Sequence, residues 1–394
     1  MSQATMLSHL KVVEIADTLG AYTGRILAQL GAQVIKVEPP SGDPARARRF
    51  ASEPTDLDAG VTWRTWNAGK HGARLDLQLG DDRDSLRDLL GQADILIQGD
   101  GDHLAQIGLD YQTLAAGNPG LISVIVQPFG EGGRLAGSPA SDLTLMAMSG
   151  IMQIVGEPER PPLKLPGEQS FGLAGVQGAI AALLALNARN ATGLGQRVVV
   201  SAYQSAVLAG YRDPLVWEWT GQIGRRTGNQ LVRGKSGVRQ IWPCQDGYVT
   251  WSLVDNPGMV KGLVGLMAQA GLAGSMAEVD WDNTLLADTP QPQIETWEGM
   301  IEPFFLSHTK ADLSRLSAEL GLGLSAIATP DDTLESPQWR SRGLWREIED
   351  PARGIALNTP GPLYQTSAPQ SEHLHAAPRL ADPSRLGFDE AHRG

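Results

Sequence analysis

The stretch Lys11–Glu38, KVVEIADTLGAYTGRILAQLGAQVIKVE, decides the fold of this chain. Its first residues, Lys11–Ala16, form a short β-branched run that is typical of a strand. Helical spacing follows over Ala21–Leu30, and Gly31 is a suitable helix C-cap. A second strand-like run, Gln33–Glu38, closes the stretch. A strand, a helix and a strand in this order predict a parallel βαβ unit.

The same alternation continues through the first half of the chain. Asp82–Leu90 is amphipathic and predicts a helix, and Asp94–Ile97 predicts a buried strand. A further helix and strand are predicted at Tyr111–Ala116 and Leu121–Val126. A longer helix is predicted from about Phe171 to Ala188. The pattern therefore predicts an α/β fold whose parallel sheet carries helices on both faces.

The character of the sequence changes after Trp219. The stretch Gly221–Gly237 is rich in Gly, Arg and Lys, which is typical of a loop. Strands are predicted within Trp242–Val254, on either side of the turn at Asp246-Gly247. Because 394 residues exceed what one simple core holds, this change predicts a second, smaller domain.

The overall composition excludes several classes of protein. Hydrophobic residues make up 42% and charged residues 19%, as in ordinary globular chains. A net charge of −12 repels nucleic acid and anionic membranes, so neither is an expected partner. The single cysteine, Cys244, excludes an intrachain disulfide and favours a reducing, cytoplasmic location. Met1–Leu10 lacks a signal-peptide pattern, no run approaches the length of a membrane span, and the apolar Val176–Leu186 predicts a buried helix.

Three groups of motifs occur in a distinctive order along the chain. They are Gly31–Pro40 followed by Gly42-Asp43-Pro44-x-Arg46, then Asn67–Lys70 leading into Leu75–Leu77, then Asp142–Gly150, Thr192–Gln196 and Val198–Ser201. In this order and spacing the chain resembles the family III CoA-transferases, the formyl-CoA transferase group that includes the α-methylacyl-CoA racemases. The resemblance covers essentially the whole chain, including the Asp246-Gly247 turn and the segment Ser336–Gly343.

The resemblance implies an architecture. It implies a Rossmann-like, CoA-binding large domain built from residues 1–219 and from a C-terminal segment, 326–394, that returns to it. A small α+β domain is inserted at 220–325. The resemblance also implies a dimer in which two subunits interlock like links of a chain.

The resemblance further implies a reaction. A carboxylate of the enzyme attacks the thioester carbonyl of an acyl-CoA and forms a mixed anhydride. The released CoA thiolate then forms an enzyme–CoA thioester, from which an incoming carboxylic acid takes the CoA. The CoA thioester is a substrate, and we expect no separate cofactor. Backbone N–H groups of a Gly-rich loop would cover the developing oxyanion.

The chain departs from the family where the attacking aspartate is expected. Family members resemble Lys-(six residues)-Asp-x-x-Ala-Gly at the start of the long helix, and here Lys164 and Ala174-Gly175 are in register. The aspartate position then falls on Phe171, which cannot act as a nucleophile. The nearest carboxylate, Glu168, lies three residues upstream and is our candidate catalytic residue. The alternative is that Glu168 only complements the positive end of a helix.

The racemase branch is disfavoured by two positions. Its members have a histidine before the aspartate that matches Asp142, and here that position is Ser141. With the other aspartate also replaced, neither proton-transfer partner is present. None of the seven histidines lies in a motif that predicts a metal site.

Several residues are candidates for binding CoA. The predicted set is Leu19, Gly20, Arg46, Lys70, Leu75, Gly99 and Gly101, with Arg48 and Arg49 as further cations for the phosphates. The alternative for the arginines is a solvated surface cluster. Gly99 and Gly101 follow a strand, where the backbone can approach a ligand closely.

Two other functions remain open from the sequence. The chain could be a catalytically silent family member that pairs with an active paralogue, so the dimer could be a homodimer or a heterodimer. It could also be an NAD-dependent dehydrogenase, because Gly20 and Gly24 follow a strand and Glu38 ends the next one. The motif Gly-x-Gly-x-x-Gly is absent, which argues against the dehydrogenase.

Overall fold

The computed structural model describes residues 5–48, 56–99, 103–234, 236–350, 354–361, 364–367 and 374–389. The chain divides into two compact units. The first comprises Met1–Met152, Lys164–Ile223 and Pro337–Gly394, and the second comprises Gln153–Leu163 and Gly224–Ser336. The sequence-based limits of the small domain are 220 and 325. The second unit instead ends at Ser336, and it also includes the separate segment Gln153–Leu163.

The first unit is organised around a parallel sheet. Its strands are β1 (Lys11–Ile15), β2 (Gln33–Glu38), β3 (Lys70–Arg74), β4 (Ile95–Gln98), β5 (Ile122–Gln127) and β6 (Arg197–Ser201). Within the described residues the order is β3-β2-β1-β4-β5-β6, and every neighbouring pair is parallel. This is the Rossmann strand order, so the predicted α/β class and parallel sheet are confirmed.

Helices connect these strands. They are α1 (Thr18–Gln29), α2 (Val61–Asn67), α3 (Gly80–Gly91), α4 (His103–Gln106), α5 (Tyr111–Gly117), α6 (Asp142–Met148), α7 (Gln169–Thr192), α8 (Ala202–Ala209) and α9 (Arg212–Thr220). Helix α1 begins three residues before the predicted Ala21, because the Asp17 side chain accepts a hydrogen bond from the Leu19 N–H at 3.0 Å and caps the helix.

Helices α1 and α7 approach each other closely through glycines. A Cβ at Gly175 would lie 2.6 Å from the Tyr22 Cβ, and one at Gly178 would lie 2.3 Å from the Thr23 hydroxyl. The Thr23 hydroxyl donates to the Gly175 carbonyl at 3.1 Å. The Gly residues of α7 therefore set how near its N-terminal half lies to α1.

The sheet separates two hydrophobic layers. Val12 belongs to the layer that contains α1 and α7, whereas its neighbour Val13 packs in the layer that contains Leu86 and Leu89 of α3. Consecutive strand residues point to opposite faces, so an almost continuous apolar strand fills both layers.

Helix α7 corrects one expectation from the sequence. By length and composition alone, Gln169–Thr192 is long and apolar enough to cross a membrane, which the sequence analysis did not foresee. In this fold, Phe171, Ala174, Ala182 and Ala185 of the helix pack in the core layer shared with α1. This packing accounts for the apolar composition of the helix, because a buried helix passes the same test.

The second unit is built around small antiparallel sheets. Its strands are β7 (Gln230–Arg233), β8 (Ser236–Arg239), β9 (Ile241–Cys244), β10 (Gly247–Thr250) and β11 (Ser325–Ala326), and its helices are α10 (Pro257–Gln269), α11 (Gln291–Leu306), α12 (Lys310–Leu320) and α13 (Pro330–Glu335). The predicted turn at Asp246-Gly247 joins β9 to β10. Trp242 and Trp251 are buried against the ring of Phe305, so both tryptophans belong to the core of this unit.

The C-terminal part of the chain returns to the first unit. It contains α14 (Pro337–Ser341) and an antiparallel pair, β12 (Trp345–Asp350) and β13 (Ile355–Pro360). Further along, the Arg385 N–H donates to the Gly72 carbonyl at 2.8 Å, and Arg74 donates to the Leu380 carbonyl at 2.6 Å. Leu380 and Arg385 therefore lie beside strand β3.

Candidate functional site

The strand order reverses between β1 and β4, and ligands of doubly wound folds bind outside the carboxyl ends of such strands. Asp17 follows β1, and Gly99 follows β4. A Cβ at Gly99 would lie 3.5 Å from the Asp17 carboxylate, so the two strand ends meet here. Leu19 and Gly20, in the first turn of α1, are buried beside them. The structure thus brings together three of the predicted CoA-binding residues, and Gly101 and Arg49 lie outside the described residues.

Glu168 is the N-cap of helix α7. Its carbonyl accepts the first helical hydrogen bond, from the Gly172 N–H at 2.9 Å. The loop before it is held by Lys164, whose ammonium donates to the carbonyls of Leu165 at 3.1 Å and Gly167 at 2.5 Å. Gly167 has φ +76°, a left-handed conformation that favours glycine. The backbone on both sides of Glu168 is therefore fixed.

The Glu168 carboxylate is largely buried and only partly satisfied. One oxygen, Oε1, lies 2.7 Å from the guanidinium of Arg48. The other, Oε2, is buried without a hydrogen-bond partner in the described part of the chain. Burial raises the pKa of Glu168, and the charges of Asp142 and Asp17 raise it further, whereas Arg48 and Lys164 lower it.

A second carboxylate, Asp142, supports the N-terminus of α7. Its Oδ1 accepts from the Ser170 N–H at 2.8 Å and from the Ser170 hydroxyl at 2.5 Å. Its Oδ2 lies 2.8 Å from the Lys164 ammonium. Ser141, which occupies the racemase histidine position, caps α6 by accepting from the Thr144 N–H at 3.2 Å. Asp142 thereby links α6, the loop of Lys164 and the first turn of α7.

Phe171 is buried in the core at the start of α7. Its side chain is 5% exposed and packs in the same hydrophobic layer as Leu19. The guanidinium of Arg48 lies over its ring, 5.8 Å from the centroid. A carboxylate at position 171 would enter this apolar layer. The role of Glu168 as the nucleophile stays a prediction.

The side chain of Arg46 has a structural role. Its guanidinium, 1% exposed, donates to Glu38 at 2.6 and 2.7 Å and to the Pro378 carbonyl at 3.1 Å. It also pairs with Asp58 and stacks 3.8 Å from the ring centroid of Trp63. A guanidinium so enclosed does not present its charge to a phosphate, which disagrees with its predicted part in CoA binding.

Lys70 is buried in a similar way. Its ammonium donates to the Ala21 carbonyl at 2.7 Å and the Asn67 side chain at 2.9 Å, and lies 2.8 Å from the Glu14 carboxylate. Burial lowers its pKa to about 7 against the opposing effect of Glu14. Leu75, the remaining predicted CoA contact, is buried in the layer around α3. In this geometry Lys70 and Leu75 hold the fold together and do not line the crevice.

Packing explains why residue 24 is a glycine, and this explanation replaces its interpretation as part of a dinucleotide-binding motif. A Cβ at this position would lie 1.8 Å from a carboxylate oxygen of Glu14. The glycine leaves room for the buried carboxylate between Lys36 and Lys70. The charged residues Glu14 and Lys36 inside otherwise apolar strands were the sequence signal for this network, and the sequence analysis missed it.

The described residues contain no group of three or more His, Cys, Asp or Glu side chains that could hold a metal ion.

Comparison with known sequences identifies the family. The profile of CoA-transferase family III matches residues 7–382, and the chain belongs to this family of transferases. The resemblance drawn from the motifs is confirmed, and the dehydrogenase alternative is set aside.

Named relatives cover nearly the whole chain. A succinyl-CoA:(R)-benzylsuccinate CoA-transferase subunit, BbsE, of Thauera aromatica is 29% identical over 96% of this chain and 92% of its own length. A succinyl-CoA:mesaconate CoA-transferase of Haloarcula marismortui is 32% identical over 98% of this chain and 96% of its own. A crystal structure of a CAIB/BAIF family protein from Brucella suis superimposes with a TM-score of 0.83 at 27% identity, covering 95% of this chain and 96% of the other.

Proposed function

We propose that this protein transfers CoA from an acyl-CoA to a carboxylic acid, with Glu168 as the nucleophile that carries the intermediates. The observation that supports this role is the position of its carboxylate, which is largely buried at the N-cap of α7 with one oxygen unpaired among the described residues. A nucleophile needs an oxygen that the protein itself does not occupy.

The reaction balances without a cofactor. The Glu168 carboxylate attacks the thioester carbonyl carbon and the C–S bond breaks. CoA leaves as a thiolate, and a mixed anhydride remains on Glu168. The thiolate attacks the glutamyl carbonyl, which releases the donor acid and leaves a glutamyl–CoA thioester. The acceptor carboxylate attacks this thioester and expels the thiolate, which then attacks the acceptor acyl carbon. Glu168 is regenerated as a carboxylate, and no net proton moves.

The surroundings of Glu168 suit this chemistry. Desolvation raises its pKa, so the ionised carboxylate is a stronger base and a stronger nucleophile than one in water. The positive charges of Arg48 and Lys164 lower the pKa of Glu168 and so oppose the effect of burial. The helix dipole of α7 favours negative charge at this end.

The relatives guide the choice of substrates and partners. Two of them are named as succinyl-CoA transferases, so succinyl-CoA is the first donor to assay. One is named as a subunit, which supports assembly with a second chain, either a copy of this one or a paralogue. An interlocked dimer in the cytoplasm, which the sequence analysis predicts, is part of this proposal.

The test is to trap CoA on the enzyme. Wild-type protein incubated with succinyl-CoA alone should carry CoA on the peptide that contains Glu168, as seen by mass spectrometry. Glu168→Gln should lose the adduct and slow exchange by at least about 10³-fold. Glu278→Gln, which alters an exposed glutamate of the second unit, is the matched control and should keep both.

Each outcome decides between the open alternatives. Full activity in Glu168→Gln would move the nucleophile elsewhere. A wild-type chain that forms no adduct with any acyl-CoA, and gains exchange only when mixed with an active paralogue, would be the silent subunit.

A further inference from the structure

Arg48 is the exposed cation beside Glu168. Its side chain is 43% exposed, it pairs with Glu168 Oε1 at 2.7 Å, and its guanidinium lies over the ring of Phe171. We propose that Arg48 binds the free carboxylate of a dicarboxylic acyl-CoA while Glu168 is acylated, and so selects dicarboxylic substrates. The inference rests on the proposed function and adds a residue that determines specificity.

The charge balance beside Arg48 changes during the proposed reaction. In the resting site the Arg48 cation is balanced by the Glu168 carboxylate. In the anhydride and in the glutamyl–CoA thioester, Glu168 is neutral, so Arg48 loses this counter-ion at every covalent stage. The N–H donors of the exposed guanidinium can then bind another carboxylate. A substrate that carries a second carboxylate supplies that group at the stage at which Glu168 is neutral.

The other cations near the site are already committed. Lys164 holds Asp142 at 2.8 Å and two loop carbonyls. Arg46 and Lys70 are enclosed by their own carboxylates, with 1% and 0% of their side chains exposed. Of these four cations, Arg48 is the one whose ion pair is lost when Glu168 is acylated.

The geometry suits a short dicarboxylic chain. In an extended succinyl group the distal carboxylate carbon lies about 4 Å from the thioester carbonyl carbon, given C–C bonds of about 1.5 Å. In the resting site the Arg48 guanidinium lies 2.7 Å from Glu168 Oε1, so an acyl chain attached to Glu168 begins next to this cation. A guanidinium resting on an aromatic face keeps its N–H donors in plane and can grip a carboxylate through two of them.

The experiment compares two donors of equal length. Succinyl-CoA and butyryl-CoA share a four-carbon chain, and only succinyl-CoA has a distal carboxylate. We expect wild type to favour succinyl-CoA in kcat/KM by roughly 10-fold, the lower end for a hydrogen bond to a charged group, because Arg48 is 43% exposed. Arg48→Gln should remove most of this roughly 10-fold preference, mainly by lowering kcat/KM for succinyl-CoA. Arg48→Lys keeps the charge without the fork and should fall between the two.

Arg87→Gln is the matched control, since Arg87 is 51% exposed on α3 and pairs with Asp84. It should leave the ratio unchanged, and circular dichroism should show all variants folded. Equal loss with both donors in Arg48→Gln would mean that Arg48 serves only Glu168, and would overturn the inference. A wild type that uses butyryl-CoA as well as succinyl-CoA, with Glu168 still required, would overturn this inference alone. A wild type that uses neither donor would remove the proposed function as well.

Discussion

Two groups of charged side chains in the first unit differ in how far they are open to solvent. Around Glu14, the carboxylate is fully buried and lies 3.2 Å from the Lys36 ammonium and 2.8 Å from the Lys70 ammonium. Around Glu168, the carboxylate keeps 21% of its side chain exposed and pairs with Arg48, which is 43% exposed. Each carboxylate has one oxygen without a hydrogen bond among the described residues, so the two groups differ in their exposure.

The difference separates charges that build the fold from charges that react. Burial alone would lower the pKa of Lys36, but Glu14 and Asp43 raise it above its usual value, so Lys36 remains a cation inside the protein. Such a network is costly to disturb, because removing one member strands the others without water. At Glu168, burial raises the pKa and the protein compensates only in part, so the site holds a less stable and more reactive carboxylate.

The largest effect is expected from Glu14→Gln. Removing this carboxylate leaves Lys36 and Lys70 facing each other without their shared counter-ion, which should cost about 3–5 kcal/mol of unfolding free energy. Urea unfolding of the purified variant checks the value. Glu278→Gln, on an exposed glutamate, should stay within about 0.5 kcal/mol. A loss below 1 kcal/mol in Glu14→Gln would show that the network tolerates a missing charge and would break the comparison.

A smaller effect is expected from Gly24→Ala. The added methyl would meet the Glu14 carboxylate at 1.8 Å and the Lys70 side chain at 3.3 Å, so overpacking should cost about 1–3 kcal/mol. Gly91→Ala at the end of α3 is the control, because nothing lies within 4 Å of its Cβ position. That change should stabilise the protein by up to about 1 kcal/mol. Thermal melting of the pair checks both signs, and equal melting shifts would contradict the explanation of Gly24.

The smallest effect on stability is expected from Glu168→Gln, in spite of its large effect on activity. The pair with the 43% exposed Arg48 contributes only about 0–1 kcal/mol, and losing it is offset by no longer burying an unpaired carboxylate. Because the folded pKa of Glu168 is raised, wild type loses stability as pH rises from the unfolded value of about 4.3 through the folded pKa. The glutamine variant lacks this loss.

Stability measured from pH 4 to pH 8 therefore sharpens the comparison. The stability of Glu168→Gln relative to wild type should increase as the pH rises. The neighbouring charges Arg48, Lys164, Asp142 and Asp17 are the same in both proteins. A variant that instead becomes less stable than wild type at high pH would mean that Glu168 belongs to the structural class of charges.

The sequence predicted the sheet better than it predicted the surroundings of the charged side chains. Apolar runs such as Ile122–Gln127 predict buried parallel strands, because a strand covered on both faces has no polar side. Helix starts were less accurate: α1 begins at Thr18 because of the Asp17 cap, which the apolar pattern does not contain. The Lys164–Asp142–Ser170 network was missed, since its members are separated by 22 and 28 residues.

The sequence by itself determined the family, the parallel sheet implied by repeated βαβ units, and the fact that Glu168 is the one acid between Lys164 and Gln196. Only the tertiary structure decided which charges are available. Arg46 is held by a carbonyl 332 residues away and Lys70 by a carboxylate 56 residues away, so neither is free although both read as candidate phosphate ligands. Residue type and spacing along the chain fix where a side chain is attached. Whether its charge is exposed or neutralised depends on partners that come near it only when the chain has folded.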